Sequence, residues 1–150
     1  ELNSPDEAVE FYNQALDEDP DNLKVFERID KILTGKKDWK NQERNYRKMI
    51  KRLGAEVPPD KKGTQIALWH ALGEIYRSRL KDFKAATQAF EVVVGLDPDA
   101  LPRHQILAEL YKLSGHDGYP KAVAEFRYII GKTQDFNQIG DYLKILRQLY

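Results

Sequence analysis

Apolar residues recur along this chain at spacings of three and four, the period of a helix with one buried face. The pattern begins at Ala8, Phe11, Tyr12, Ala15 and Leu16, behind a capping box, Ser4-Pro5-Asp6-Glu7, that puts proline at the first helical position. It returns at Leu23, Phe26, Ile29, Ile32 and Leu33, where Gly35 closes the helix. Trp39, Tyr46, Met49, Ile50 and Leu53 make a third stripe, and Ile66, Trp69, Leu72, Ile75, Tyr76 and Leu80 a fourth. Phe83, Ala86, Ala89, Phe90 and Val93 follow, then Ile106, Leu107, Leu110, Tyr111 and Leu113. Val123, Phe126, Ile129 and Ile130 make the seventh, and Tyr142, Leu143, Ile145, Leu146 and Leu149 the last, so the pattern predicts eight helices. Breaks fall at Asp19-Pro20-Asp21, Gly35, Val57 to Asp60, Asp97-Pro98-Asp99 and Gly115 to Pro120, all built from turn formers. No segment sustains the period-two alternation of a strand, so the expected fold is all-α.

The helices also repeat in pairs. Trp69, Leu72, Gly73 and Tyr76 are followed by Ala86, Phe90 and Pro98, a spacing that resembles the tetratricopeptide repeat, a helix–turn–helix unit of about 34 residues. Weaker copies fall into the same register. Ala8, Tyr12 and Pro20 resemble the second helix of a unit; Phe26, Ile29, Leu33 and Tyr46 occupy the next, with Gly54 in the place of its proline. His104, Leu107, Ala108, Tyr111, Ala122 and Phe126 occupy a third, and Leu143, Leu146 and Tyr150 a final first helix. Residues 66–100 carry one extra residue between their helices, the unit from Leu101 carries two, and about nine, Val57 to Gln65, separate the second and third units. The resemblance implies a right-handed solenoid of about three divergent repeats with half repeats at each end. Residues 1–150 are expected to form a single repeat domain, with a break or irregular insertion at 54–65. Because terminal repeats need a polar outer face and the last stripe is strongly apolar, the chain is expected to be a piece of a longer array, or to pair with another copy through its end.

Composition narrows the chemistry. The 150 residues hold no cysteine, which excludes disulfides, thiol catalysis and thiolate metal sites. No Walker loop, dinucleotide-binding glycine pattern, nucleophile elbow or His-Glu-x-x-His occurs. Of the three histidines, His104 takes the slot filled by Trp69 and reads as a packed, hydrogen-bonded side chain, His116 lies in a glycine-rich turn, and His70 shares a helix face with Glu74, too few ligands for a metal. No catalytic residue, cofactor or metal site is expected, and the chain is not read as an enzyme. No apolar run approaches the roughly 18 residues that cross a bilayer. The first residue is Glu1 and no leader follows it, so either no address is present or one has been removed; the compartment stays open, with the cytoplasm the default expectation.

Charge is balanced overall at 24 bases and 24 acids, but not along the chain. Residues 1–35 hold ten acids and three bases, a net of −7; residues 36–62 hold ten bases and four acids, a net of +6. Lys37, Lys40, Arg44, Arg47 and Lys51 recur at three and four and are expected on one face of a basic helix over 36–52. That face is an alternative site for a polyanion, RNA or an anionic surface, although no aromatics interleave with it for base stacking, which disfavours nucleic acid.

The family resemblance points elsewhere. It implies a concave groove lined by the first helices of successive repeats, where peptides or partner helices bind. Carried over position by position, the groove row is Lys24, Glu27, Lys31 and Thr34, then His70, Glu74, Arg77 and Ser78, then Gln105, Glu109 and Lys112, with Lys144 extending it. Family members that grip a C-terminal carboxylate use a fixed set of basic and amide groups; here Glu74 and Glu109 stand in the row, which disfavours such a clamp. The expected function is a non-catalytic scaffold that binds a protein or peptide in this groove. A further alternative is self-association through the apolar C-terminal helix.

Overall fold

Local sequence supplies most of the helix starts. In the computed structural model, which describes residues 4–150, α1 (Pro5–Glu18) begins behind Ser4, whose hydroxyl accepts from the Glu7 N–H at 3.2 Å. Asn22 caps α2 (Leu23–Gly35) and Asp38 caps α3 (Trp39–Leu53), each through the backbone N–H three residues on. Asp82 caps α5 (Phe83–Leu96) and Asp135 caps α8 (Phe136–Leu149) in the same way. Proline enters α6 (Leu101–Leu113) and α7 (Tyr119–Lys132) in the first turn, where its missing N–H costs nothing. α4 (Lys62–Glu74) follows a 3-10 turn, Pro59–Lys61, and so starts inside the stretch 54–65, of which 54–58 is irregular. The eight helices are thus all present, and among the described residues there is no strand.

Two details of the turns were not visible in the spacing. Lys37 and Lys81 both take positive φ, 53° and 55°, and each is followed by a capping aspartate and an aromatic, Asp38-Trp39 and Asp82-Phe83. The same tight turn therefore ends the first helix of two units. After α4 the backbone widens into a π-helical segment, Ile75–Leu80. The one extra residue of the 66–100 unit is accommodated there, inside the first helix, rather than in the loop.

The chain falls into two compact units, the first ending at Leu80 and the second running Lys81–Tyr150. In the first, Leu16, Phe26, Ile29, Leu33, Met49 and Leu68 form the core, with Val9, Tyr12, Tyr46 and Ile50 packed against it. Phe26 and Tyr46 meet edge to face with ring centroids 5.0 Å apart. α3 also buries two amides, Gln42 and Asn45, that its apolar stripe did not predict. Gln42 Nε2 donates to Asp30 Oδ1 at 2.8 Å and to Thr34 Oγ1 at 2.9 Å, and the Tyr46 hydroxyl donates to Asp30 Oδ2 at 3.2 Å. In the second unit Phe90, Val93, Leu107, Leu110, Phe126 and Ile129 are fully buried, and Ala86, Ala89, Ala108 and Ala122 supply the small positions that let helices approach.

Candidate functional site

In the first unit the row of first-helix positions is partly assembled around a hollow. On α2, Lys24, Glu27, Lys31 and Thr34 are all exposed. On α4 and the π segment, His70, Glu74 and Arg77 are half-buried. Thr34, Glu74 and Ser78, three of the row positions, line one hollow of about 260 Å³ together with Trp39, Gln42 and Arg79. Both Glu74 oxygens accept from Arg77 Nη2 at 2.9 Å, and the Ser78 hydroxyl approaches Glu74 at 3.4 Å. Glu74 is therefore committed to Arg77 as an i, i+3 pair. At the rim, the Arg79 guanidinium stacks 4.4 Å above the Trp39 ring. Behind it, Glu43 of α3 accepts from the Tyr76 hydroxyl at 2.5 Å and pairs with Arg47 Nε at 2.7 Å, tying α3 to the π segment.

The second unit shows its own part of the row. Gln105 on α6 accepts from the Tyr142 hydroxyl of α8 at 2.9 Å. Burial pushes the Tyr142 phenol up, and the charges of Asp141 and Glu109 push it the same way. Lys112 Nζ reaches Glu109 at 3.3 Å and Lys144 Nζ reaches Asp141 at 3.5 Å, so these lysines face carboxylates one turn away. On the same helix as Lys144, Phe136 is 87% and Leu143 53% exposed.

The basic set is less uniform than its spacing implied. Lys37 sits in the turn ahead of α3, not on the helix, because the chain reverses there at positive φ. Lys40, Arg44, Arg47 and Lys51 lie on α3 and are exposed, with Arg47 already paired to Glu43. Arg52, also basic, turns to the acidic α1, where its Nη2 donates to Asp17 at 2.7 Å and to the Asn13 side chain at 3.2 Å. Lys36 likewise reaches back to Asp6, and Lys61 meets Asp21 at 2.6 Å, which holds the Lys61 ammonium pKa up. The acidic first helix and the basic segment thus balance one another in part.

His104 is buried, as the sequence suggested. Its Nε2 lies 2.7 Å from the Pro98 carbonyl, its Nδ1 lies 2.5 Å from Glu125, and its ring stacks on Tyr128 at 4.3 Å. Among the described residues no group of three or more histidines and carboxylates comes together in a way that could hold a metal. No helix among them is long and apolar enough to cross a membrane.

Sequence reasoning missed Trp39, Gln42, Glu43 and Arg79 as parts of the site. The signal for Trp39 was present: Lys37-Asp38-Trp39 and Lys81-Asp82-Phe83 are the same turn in successive units. Gln42, Glu43 and Arg79 are placed by pairings between helices, which no local period carries.

This is an all-α helical-repeat solenoid fold, in which paired helices stack through small and aromatic side chains. Residues 1–22 and 66–100 match the family model of the tetratricopeptide repeat. The family is a protein-interaction scaffold, generally without catalytic activity. No curated protein matches the chain in sequence. Solved structures share the fold. BtubC (BKLC) from P. vanneervenii is similar over 99% of this chain at 14% identity with a TM-score of 0.58, and this chain spans 64% of its length. One structure of MamA is similar over 96% of this chain and 75% of its own, at 18% identity and TM-score 0.59. Another matches over 97% and 81%, at 18% identity and TM-score 0.55.

Proposed function

We propose that the chain is a non-catalytic module that binds a protein segment or peptide along its first-helix row. The observation that supports this most directly is the hollow in the first unit. Thr34, Glu74 and Ser78 were assigned to the row by repeat position alone, and they lie around one concavity with a stacked Trp39–Arg79 pair at its rim. The pair offers a flat cationic and aromatic surface, the hydroxyls offer hydrogen bonds, and Glu74 is neutralised by Arg77. Such a lining suits a peptide with charges of both signs and an apolar or aromatic side chain at the rim. The rest of the proposed row is Lys24, Glu27, Lys31 and His70 in the first unit, and Gln105, Glu109, Lys112 and Lys144 in the second.

The test is capture from lysate of the source, with and without nuclease, by wild type and by Glu74→Lys and Lys40→Glu. Retention of a few proteins after nuclease, lost in Glu74→Lys and kept in Lys40→Glu, is the expected result. Captured material that disappears with nuclease or with Lys40→Glu would move the function to the basic face of α3.

A second reading, self-association through α8, has one observation in its favour, the exposure of Phe136 and Leu143. Sedimentation over a range of concentrations tests it: mass should rise with concentration and revert to one chain in Leu143→Glu. A constant single-chain mass in wild type ends this reading.

A further inference from the structure

A second concavity lies away from the first-helix row, between α1 and α3, the second helices of their units. It has a volume of about 400 Å³. α1 contributes Asp6, Glu10 and Asn13 to its wall; α3 contributes Arg44, Asn45 and Lys48. Asp6 is held by Lys36, and Asn13 takes Arg52, so those two are already engaged by the protein. Among the described residues Glu10, Arg44 and Lys48 form no ion pair, although opposite charges line the same cleft. Their charge is thus available to something that enters.

The lining also contains Asn45, which is only 3% exposed. Neither its Nδ2 nor its Oδ1 has a protein partner. Buried amides are nearly always paired, and an unpaired one calls for an explanation. Leucine in its place would carry no unpaired polar atoms, so Asn45 weakens the fold unless something supplies its hydrogen bonds. Because Asn45 lines this cleft, the cleft is where that partner can enter. The missing partner must both donate and accept, and a second amide can do both at once, its oxygen accepting from Nδ2 and its NH2 donating to Oδ1. The flanking charges ask for an ammonium on the Glu10 side and a carboxylate on the side of Arg44 and Lys48.

We propose that the α1–α3 cleft is a binding site for a small zwitterionic amide, an amino acid or dipeptide carrying a side-chain carboxamide. The amide pairs with Asn45, and the two charged ends lie between Glu10 and the Arg44–Lys48 pair. The site is independent of the first-helix row.

The probe is L-glutamine, titrated into the isotopically labelled chain and followed by nuclear magnetic resonance. Saturable shifts are expected in the backbone of α1 and α3 and in the Asn45 side-chain NH2. L-Norleucine has the same charged ends and no amide, and should bind at least about tenfold more weakly, since a site built around a hydrogen bond rejects the analogue that lacks it. Asn45→Leu should lose binding while melting no lower than wild type, a combination that a purely structural amide would not give. Should Asn45→Leu fail to fold, the exposed charge reversals Glu10→Lys and Lys48→Glu decide the matter; each should weaken L-glutamine binding with the melting temperature unchanged. The proposal is overturned by the absence of saturable shifts up to the solubility of L-glutamine, by equal binding of L-norleucine, or by undiminished binding in Asn45→Leu or in both charge reversals.

Discussion

Gly118 lies directly against the carbonyl of Tyr111. A methyl group on Gly118 would stand 2.9 Å from the Tyr111 carbonyl carbon and closer still to its oxygen. The carbonyl is backbone and cannot rotate away, so the turn between α6 and α7 closes only around glycine. Gly115, three residues earlier, is needed for a different reason: its φ is +77°, with open space around it. Gly118→Ala should therefore cost roughly 3 kcal/mol through overpacking, and Gly115→Ala about 1–3 kcal/mol, because φ +77° with ψ −157° is a conformation that essentially only glycine adopts. Urea unfolding of the two variants checks this; a Gly118→Ala midpoint equal to that of wild type would mean the Gly118 contact relaxes freely.

In the same unit, Glu125 holds a buried histidine. The Pro98 carbonyl can only accept, so His104 Nε2 donates to it, and Nδ1 and the Glu125 carboxyl share a hydrogen bond at 2.5 Å. Glu125→Ala leaves Nδ1 without a partner at a side chain that is almost fully buried. The expected loss is about 1–3 kcal/mol, and Glu125→Gln, which keeps a polar partner in place, should lose less. The two chemical denaturation midpoints separate the outcomes. If both variants unfold at the wild-type midpoint, the bond contributes nothing to stability.

These contacts show where sequence stops. The helices were legible because burial repeats with the helical period, as at Phe26, Ile29 and Leu33 or Phe126 and Ile129. The slot shared by Trp69 and His104 was legible too, since the repeat register places both. The polar interior of α3 was not. Gln42 and Asn45 stand seven and four residues before the fully buried Met49, on its face, but an amide at those positions reads as solvent-exposed. What buries Gln42 is Asp30 and Thr34 on α2, and what leaves Asn45 unpaired is the cleft beside α1. Both depend on helix packing that no single segment encodes. The candidate groove follows the same division: Thr34, Glu74 and Ser78 came from the register, whereas Arg79 on Trp39 came from the π segment, which no spacing announced.

Asp38 links α3 to pH. Its carboxylate accepts from the Asn41 side chain at 2.7 Å and from the Asn41 backbone N–H at 3.3 Å. The side-chain bond, foremost, holds the Asp38 carboxyl below its ordinary value. A folded value below the unfolded one stabilises above the unfolded pKa, near 4, and that stabilisation is lost as pH falls through the folded value. Asp38→Ala should cost about 1 kcal/mol near neutral pH, the usual worth of a cap. The gap between wild type and Asp38→Ala should then shrink on acidification below about pH 4. Thermal midpoints across that range test it, and a gap that stays constant would show that the cap does not depend on the charge.

The opposite end of the pH scale is governed by Tyr46. Burial raises its phenol well above the ordinary tyrosine value, and the neighbouring Asp30 carboxylate, through both charge and hydrogen bond, raises it further. A raised folded value keeps the stabilisation intact below the unfolded pKa, about 10, and loses it as pH rises beyond that toward the folded value. Tyr46→Phe removes the titrating group while leaving Asp30 its bond from Gln42. It should cost about 0.5–1.5 kcal/mol near neutral pH, the net value of one hydrogen bond. Above about pH 10 the wild type should weaken faster than Tyr46→Phe, so their urea midpoints converge. The Tyr111 phenol is also raised, by burial and by its bond to Glu91, and Tyr142 by burial. Both variants therefore keep some alkaline sensitivity, and the informative quantity is the difference between their midpoints. A difference that is the same near neutrality and above about pH 10 would show that Tyr46 gives up its proton as readily in the fold as in the unfolded chain.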